Sequence, residues 1–292
     1  MYSFNETEGN MIKIISDSTC DLSEELLNKY DIDILPLHVV MGDKEYIDGV
    51  NISPDEIYVW SDEHKETPKT SAVGIEEAIN LFRKYTDAGE EIIAFAISED
   101  MSTTANVMRI AAEELEKEDK IHVIDSMNLS TGVGHLVVEA AIMAKNGESA
   151  ETIVNEIEKM RHRVRASFVI DTLVYLQRGG RCSSVAAIAG GLLKLHPKIV
   201  VENGKMIASK KYRGSIDSAI LKYVADLEEE LAKAKKDRVF ITHSGCDEEL
   251  IAKVREKLEA LNRFDEILVT RAGSVISSHC GPGTLGVLFM EE

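Results

Sequence analysis

Basic residues are scarce in this chain of 292 residues, which has 33 Lys and Arg against 51 Asp and Glu and a net charge of -18. Such a field repels nucleic-acid backbones and anionic membrane surfaces, so we expect no nucleic-acid partner. Long apolar runs are lacking too, since none approaches the roughly 20 residues that span a bilayer. The sequence therefore predicts a soluble protein that does not insert stably into membranes.

Cysteine is also rare, and Cys20, Cys182, Cys246 and Cys280 are far apart. They form no Cys-x-x-Cys pair, which excludes a zinc ribbon and a thioredoxin-type motif. Free thiols in a reducing compartment are the simplest interpretation, so we expect a cytoplasmic protein. Residues 1–10 lack the basic and apolar regions of a signal peptide, and we expect this extension to fray.

The sequence patterns of several enzyme classes are missing. There is no Gly-x-Ser-x-Gly elbow, no phosphate-binding P-loop and no His-Glu-x-x-His. Asp17, Asp125 and Asp171 each follow an apolar run and could act as bases or ligands. Asp at a strand end, however, more often forms a turn or caps a helix. We expect no catalytic residue, no cofactor and no metal.

Short apolar runs alternate with amphipathic stretches in the first half of the chain. Strands that alternate with helices predict a largely parallel α/β sheet covered on both faces. The predicted elements are strand 12–15, helix 25–30, strand 91–97, helix 102–116, strand 121–124, and helices 131–145 and 150–164.

The pattern changes after the apolar run 168–170. Asn203-Gly204 between two further runs predicts a two-residue hairpin and antiparallel pairing. The elements predicted after it are helix 216–235, strand 238–243, helix 248–261, strand 267–270, and apolar runs 275–276 and 287–290. We therefore predict an N-terminal α/β domain over residues 11–165 and a C-terminal mixed α+β domain over residues 166–292.

Hydroxyl groups near apparent helix starts favour an anion site. Ser102 precedes the predicted helix 102–116, where unpaired N–H groups and the helix dipole attract negative charge. Ser102 would equally serve as an ordinary helix cap, which is the more common role. Thr70 and Ser71 precede another apparent helix and have the same alternative. Their interest lies in position, because loops after parallel strands gather at one sheet edge.

Two glycine-rich segments bring possible charged partners. The two glycines in residues 178–181 permit a sharp reversal that aims Arg181 back toward the domain interface. The alternative is a solvated arginine beside a helix C-cap. His279 precedes a Gly-Pro-Gly loop at 281–283, although most lone histidines have structural or surface roles.

An apolar helix rich in small residues is predicted over 186–195. Tight helix packing is its default explanation, but small residues would also leave room for an elongated apolar ligand. Lys210, Lys211 and Arg213 form a basic cluster, which the residues alone explain as a solvated strand end.

Together and in order, these motifs resemble the DegV family, bacterial fatty-acid-binding proteins that include the FakB subunits of fatty acid kinase. The resemblance covers nearly the whole chain from Met11. The matching segments are 17–22, 35–37, 70–71, 98–104, 125–126, 171–173, 176–181 and 279–283.

The resemblance implies a long-chain fatty acid in a buried tunnel between the two domains. It assigns the carboxylate to Thr70, Ser102, Arg181 and His279, with support from Ser71, Thr103, Gly281 and Gly283. It also implies a non-catalytic carrier, whose fatty acid a partner kinase phosphorylates to an acyl phosphate for phospholipid synthesis. Arg213 and Lys211 would lie in the kinase-docking region, where charge steers association.

Two departures from the family pattern concern the head group. Ala72-Val73 stands where Gln-Pro usually follows the serine, and Thr103 stands where glycine is usual. A β-branched residue adds bulk and restricts the backbone there. The alternative function is a hydrolase or phosphotransferase that uses a Ser or Asp near the same site.

Overall fold

The structure is a computed structural model and describes residues 11–181 and 195–292. The strands are β1 (Ile12–Asp17), β2 (Ile32–Leu35), β3 (His38–Met41), β4 (Lys44–Ile47), β5 (Lys69–Ser71), β6 (Glu91–Ala96), β7 (Ile121–Asp125), β8 (Val164–Val169), β9 (Leu195–Glu202), β10 (Lys205–Arg213), β11 (Ala234–Ser244), β12 (Glu266–Arg271) and β13 (Thr284–Glu291).

Helices cover the sheets and connect most of the strands. The α-helices are α1 (Glu24–Tyr30), α2 (Pro54–His64), α3 (Ile75–Thr86), α4 (Thr104–Glu114), α5 (Thr131–Lys145), α6 (Ala150–Met160), α7 (Val174–Gly179), α8 (Ile216–Asp226), α9 (Glu228–Leu231), α10 (Glu248–Ala260) and α11 (Ser274–Cys280). Single 3₁₀ turns lie at Ser18–Cys20 and Arg161–Arg163.

The strands form three sheets. The N-terminal sheet has the order β2-β1-β6-β7, and all of its pairs are parallel. The C-terminal sheet has the order β10-β9-β8-β13-β11-β12 and is mixed, because β11 pairs parallel with β12 and antiparallel with β13. A small antiparallel sheet, β4-β3-β5, carries Thr70. The predicted fold class, parallel α/β followed by mixed α+β, is confirmed.

The predicted hairpin at Asn203-Gly204 is confirmed, since both residues have positive φ and join the antiparallel strands β9 and β10. The single helix predicted over 216–235 is wrong, because β11 already begins at Ala234. Ala234 pairs with Glu291 of β13, so sheet pairing overrides local helix propensity there.

Helix α5 lies between the two larger sheets and joins them into one core. Thr131 and Thr242 share a hydrogen bond of 2.6 Å between their hydroxyls. Glu139 accepts a hydrogen bond of 2.5 Å from Arg238, a largely buried ion pair. The hydrophobic cluster around α5 includes residues from both sheets. The domain boundary predicted between residues 165 and 166 falls inside β8, and the division into domains stays a prediction.

Two further predictions concern the small-residue helix and the lack of a bilayer-spanning segment. The small-residue helix predicted over 186–195 lies outside the described residues, except for Leu195, which begins β9. Among residues 11–181 and 195–292, every helix is too short or too polar to cross a bilayer.

Candidate functional site

A cavity of about 460 Å³ opens between the loops of the two larger sheets, within the size range of small-molecule sites. It is bounded by the end of β5, the loop before α4, one side of α11 and the start of β10. Its lining residues are Leu37, Thr70, Ser71, Ala72, Ile97, Glu99, Asp100, Met101, Ser102, Thr103, Leu129, Arg181, Met206, Val275, Ile276, His279 and Cys280.

The structure gathers most of the predicted site residues around this cavity. The lining includes Thr70, Ser102, Arg181 and His279, together with Ser71 and Thr103. Gly281 and Gly283 do not line it. Instead, Gly281 ends α11 with a φ of 72°, and the Gly283 N–H donates to the Ser244 carbonyl at 2.8 Å. Their effect on the cavity is indirect, through the path of the chain behind His279.

The polar end of the cavity is formed by a hydrogen-bonded pair, Thr70 and His279. Thr70 Oγ1 lies 2.8 Å from His279 Nε2. Burial, reinforced by the charge of Arg181, lowers the pKa of His279 to about 4, so the ring is neutral at pH 7. Within the described residues, Nδ1 has no hydrogen-bond partner. With its hydrogen on Nε2, the ring donates to Thr70 and leaves the threonine hydroxyl hydrogen available to an anion.

Glycine is required where α7 passes this histidine. A Cβ at Gly179 would lie 2.2 Å from His279 Nδ1, so no side chain fits there. Gly180 then adopts a φ of 68° and turns the chain, as the paired glycines predict. Arg181 follows as an exposed residue whose Nη1 donates to the Gly179 carbonyl at 2.7 Å. The reversal therefore sets the guanidinium at the mouth of the cavity.

Ser102 is hydrogen-bonded at the start of α4 and also faces the cavity, so the anion contact considered for it stays a prediction. Its Oγ accepts a hydrogen bond of 3.3 Å from the Thr104 N–H and lies 2.9 Å from Thr104 Oγ1. It therefore satisfies one N–H at the start of α4, although the N-cap residue itself is Thr103. Thr103 has φ -88° and ψ 7°, a negative-φ conformation that does not require glycine. The departure from glycine at this position therefore adds bulk without forcing the backbone.

The other end of α11 is held by two buried carboxyl groups that the sequence did not single out as site residues. The Gly273 N–H donates to Asp21 at 2.8 Å, and the Ser274 N–H donates to Asp48 at 2.7 Å. Burial raises the pKa of Asp21 to about 8 and also raises the pKa of Asp48. No local pattern in the sequence indicates this role for Asp21, because its partner lies 252 positions away.

The rest of the cavity wall is largely apolar, with side chains such as Ile97, Met101 and Met206. Leu129, Ile276 and Cys280 also line a narrower gap of about 20 Å³ that leads toward the C-terminal sheet. Sequence reasoning missed these residues because an apolar side chain in a cavity wall has the same pattern as one in the core. The site thus has a polar mouth and an apolar interior, an arrangement that suits an amphiphile.

Two of the three aspartates considered as bases, Asp17 and Asp125, form local turns instead, and the third, Asp171, lies beside His196. Asp17 accepts hydrogen bonds from the backbone of Thr19 and Ile97, and Asp125 accepts one from the Met127 N–H at 2.9 Å. Asp171 lies 3.3 Å from His196. None of the three lines the cavity.

Comparison with known proteins shows similarity to one family over nearly the whole chain. The model for uncharacterised proteins of the DegV family matches residues 11–292. A DegV domain-containing protein of Clostridium acetobutylicum is 35% identical over 282 residues, 96% of this chain and 99% of the relative.

Two solved structures share the fold closely. A fatty-acid-binding DegV family protein from Thermus thermophilus has a TM-score of 0.87 and 30% identity, over 97% of this chain and 100% of the other. A stearic-acid-binding protein from Eubacterium ventriosum has a TM-score of 0.84 and 29% identity, over 96% of this chain and 98% of the other. Because sequence and fold agree from end to end of the match, this chain belongs to the DegV family.

Proposed function

We propose that this protein binds a long-chain fatty acid, with its carboxylate at Thr70, Ser102, Arg181 and His279 and its tail along the apolar wall. The observation that carries the proposal is the Thr70–His279 pair, 2.8 Å apart, at the polar end of a cavity that is otherwise largely apolar. The fatty-acid-binding relatives from Thermus thermophilus and Eubacterium ventriosum support the same ligand class.

The energetics favour such a carrier. Removing the tail from water contributes roughly 0.8 kcal/mol per methylene. Desolvating the carboxylate costs several kcal/mol unless donors replace its water. Thr70 and Ser102 supply neutral donors, and Arg181 supplies the permanent positive charge. His279 is neutral at pH 7, so it assists by orienting the Thr70 hydroxyl rather than by its charge.

The finer proposal is that the protein presents this carboxylate to a fatty acid kinase in the cytoplasm, for acyl phosphate and then phospholipid synthesis. Exposure of Ser71 and Arg181 at the mouth leaves the head group within a partner's reach. Lys211 and Arg213 are exposed on β10, an edge strand of its sheet. Charges on an edge strand also prevent unwanted strand pairing, so kinase docking is one of two roles for this cluster.

Extraction of the purified protein with organic solvent, followed by mass spectrometry, tests ligand binding directly. We expect stoichiometric long-chain fatty acid. Absence of fatty acid together with ester hydrolysis by the protein would instead support the hydrolase alternative.

The role of the head-group residues is tested by acyl phosphate formation with a partner kinase. We expect Arg181→Ala and His279→Ala to reduce the rate about tenfold or more, because each loses a group that binds or orients the carboxylate. Arg255→Ala on the remote helix α10 is the matched control. Unchanged transfer by both variants would contradict the assigned roles.

A further inference from the structure

A second hollow of about 360 Å³, here called the outer pocket, adjoins the cavity mouth. Thr70, Arg181 and His279 line both spaces, so the two share a wall. The outer pocket is lined by Lys65, Glu66, Thr67, Pro68, Lys69, Thr70, Arg178, Gly179, Arg181 and His279.

Positive charge is concentrated in the outer pocket. Its four cations, Lys65, Lys69, Arg178 and Arg181, face a single acid, Glu66. The chain as a whole has the opposite balance, 33 basic to 51 acidic residues. An uncompensated cluster of this kind focuses field lines and attracts anions to one place on a protein that otherwise repels them.

These cations are also unpaired. Within residues 11–181 and 195–292, no carboxylate oxygen lies within 4.0 Å of the charged nitrogens of the four side chains. The two acids of the inner cavity, by contrast, already have basic partners. Glu99 pairs with Arg109 at 2.6 Å, and Asp100 lies 3.5 Å from Lys205. The outer pocket therefore keeps a capacity for negative charge at Lys65, Lys69 and Arg178, none of which lines the inner cavity.

The ends of three elements create this arrangement. Lys65 is the C-cap of α2 in left-handed conformation with a φ of 56°, and Lys69 begins β5. Arg178 lies in the last turn of α7, just before the Gly180 reversal. The cations are thus brought together by backbone that the fold already holds in place around His279.

We infer that the outer pocket binds a phosphoryl group in its dianionic form, directly beside the carboxylate position. The inference rests on the proposed function, because it takes a bound acyl head group in the inner cavity as its neighbour. One carboxylate needs only the hydroxyls and Arg181, so Lys65, Lys69 and Arg178 are surplus for a fatty acid alone. Lysine as a point charge and arginine as a two-pronged donor are the usual ligands of phosphate oxygens.

An acyl phosphate matches both spaces. Its chain and carbonyl occupy the cavity, and its phosphoryl oxygens meet the cations of the outer pocket across the shared wall. The concave shape of the pocket favours one phosphoryl group over a flat phospholipid surface, which shares the phosphate chemistry.

The test compares two soluble ligands of equal chain length by isothermal titration calorimetry on delipidated full-length protein. One is a saturated fatty acid, and the other is its β-ketophosphonate, an acyl phosphate analogue in which methylene replaces the bridging oxygen. We expect Lys65→Ala/Lys69→Ala/Arg178→Ala to weaken phosphonate binding about tenfold or more while fatty acid binding changes less than about twofold.

The matched control is Lys145→Ala/Lys236→Ala/Lys257→Ala, which removes the same charge at exposed positions outside both spaces. It should leave both affinities nearly unchanged. Equal weakening of both ligands by the pocket variant would overturn the inference, since the cations would then attract any anion. A separate assay measures sedimentation of each protein with phosphatidylglycerol vesicles. If the pocket variant no longer sediments with the vesicles but still binds the phosphonate as the wild type does, the inference is overturned in favour of a membrane-facing role.

The two proposals fail in different ways. If the wild-type protein binds neither ligand, the fatty acid proposal itself is wrong, and the outer pocket inference falls with it. If the fatty acid binds and the phosphonate affinity does not depend on the three cations, only the inference is wrong.

Discussion

The two ends of α11 differ in how completely their polar groups are paired. At the first end, the N–H groups of Gly273 and Ser274 donate to the buried carboxyl groups of Asp21 and Asp48. At the second end, His279 has Thr70 Oγ1 as its partner among the described residues, and its Nδ1 has none. Buried polar groups are normally satisfied, and the first end of α11 follows this rule more fully than the second. We propose that the first end serves stability and the second serves binding.

The largest change in stability should come from the first end of α11, where Gly273 and Ser274 are bound by buried carboxyl groups. Asp48→Ala removes the acceptor for the Ser274 N–H and the Ser18 hydroxyl, and we expect the free energy of unfolding to fall by about 3 kcal/mol. Urea denaturation measures this change. The matched control, Asp55→Ala, breaks an exposed ion pair with Arg271 and should cost less than about 0.5 kcal/mol. Equal effects of the two substitutions would remove the distinction between the ends of the helix.

A pH-dependent effect of intermediate size should distinguish Asp21. Its pKa in the folded protein is about 8, raised by burial from 3.8. Between about pH 4 and pH 8 the group is therefore protonated in the folded state and ionised in the unfolded state. Its protonated form contributes to the free energy of unfolding below this range, and this contribution is lost as pH rises from about 4 to 8. Asn cannot titrate, yet it keeps an acceptor for the Gly273 N–H.

We therefore expect the free energy of unfolding of the wild type to fall relative to Asp21→Asn by about 2 kcal/mol between pH 6 and pH 8. Denaturation curves of both proteins across this range measure the difference, in which other titrating groups largely cancel. A constant difference at all pH values would show that Asp21 is ionised throughout.

The smallest change in stability should come from the second end of α11, where Thr70 contacts His279. Thr70→Val keeps the side-chain shape and removes the hydroxyl, so we expect a loss of about 1 kcal/mol or less in stability and about tenfold in fatty acid affinity. Thr70→Ser retains the hydroxyl and should bind nearly as the wild type does. If valine binds the fatty acid as well as threonine does, the hydroxyl has no part in holding the carboxylate.

Outside residues 31–90, local patterns predicted the N-terminal fold well. Within that range no element was predicted with bounds, although the structure has four strands and two helices there. The strand predicted over 91–97 and the helix predicted over 102–116 correspond to β6 and α4 with shifts of up to two residues, because burial and periodicity there are continuous along the chain. By contrast, the apolar run 275–276 did not indicate a helix. Its helical state in α11 depends on carboxyl groups 226 and 252 positions away, which no local pattern contains.

The candidate site was predicted unevenly for a similar reason. Thr70, Ser102, Arg181 and His279 were found because polar residues beside glycines or at element ends stand out, and the structure places all four around one cavity. Their roles as carboxylate ligands stay predictions. Lys65 and Lys69 were not identified, since exposed lysines have no distinctive pattern until the fold groups them in the outer pocket.

The Thr70–His279 hydrogen bond joins positions 209 residues apart. Contacts of such high contact order form only when nearly the whole topology is assembled, so no fragment of the chain can hold the head group as the intact protein does. A ligand held there binds the native state and not the unfolded chain, and its free energy of binding adds to global stability by mass action. A rise in melting temperature on addition of lipid would then show that the chain has reached its native fold as well as that the site is occupied.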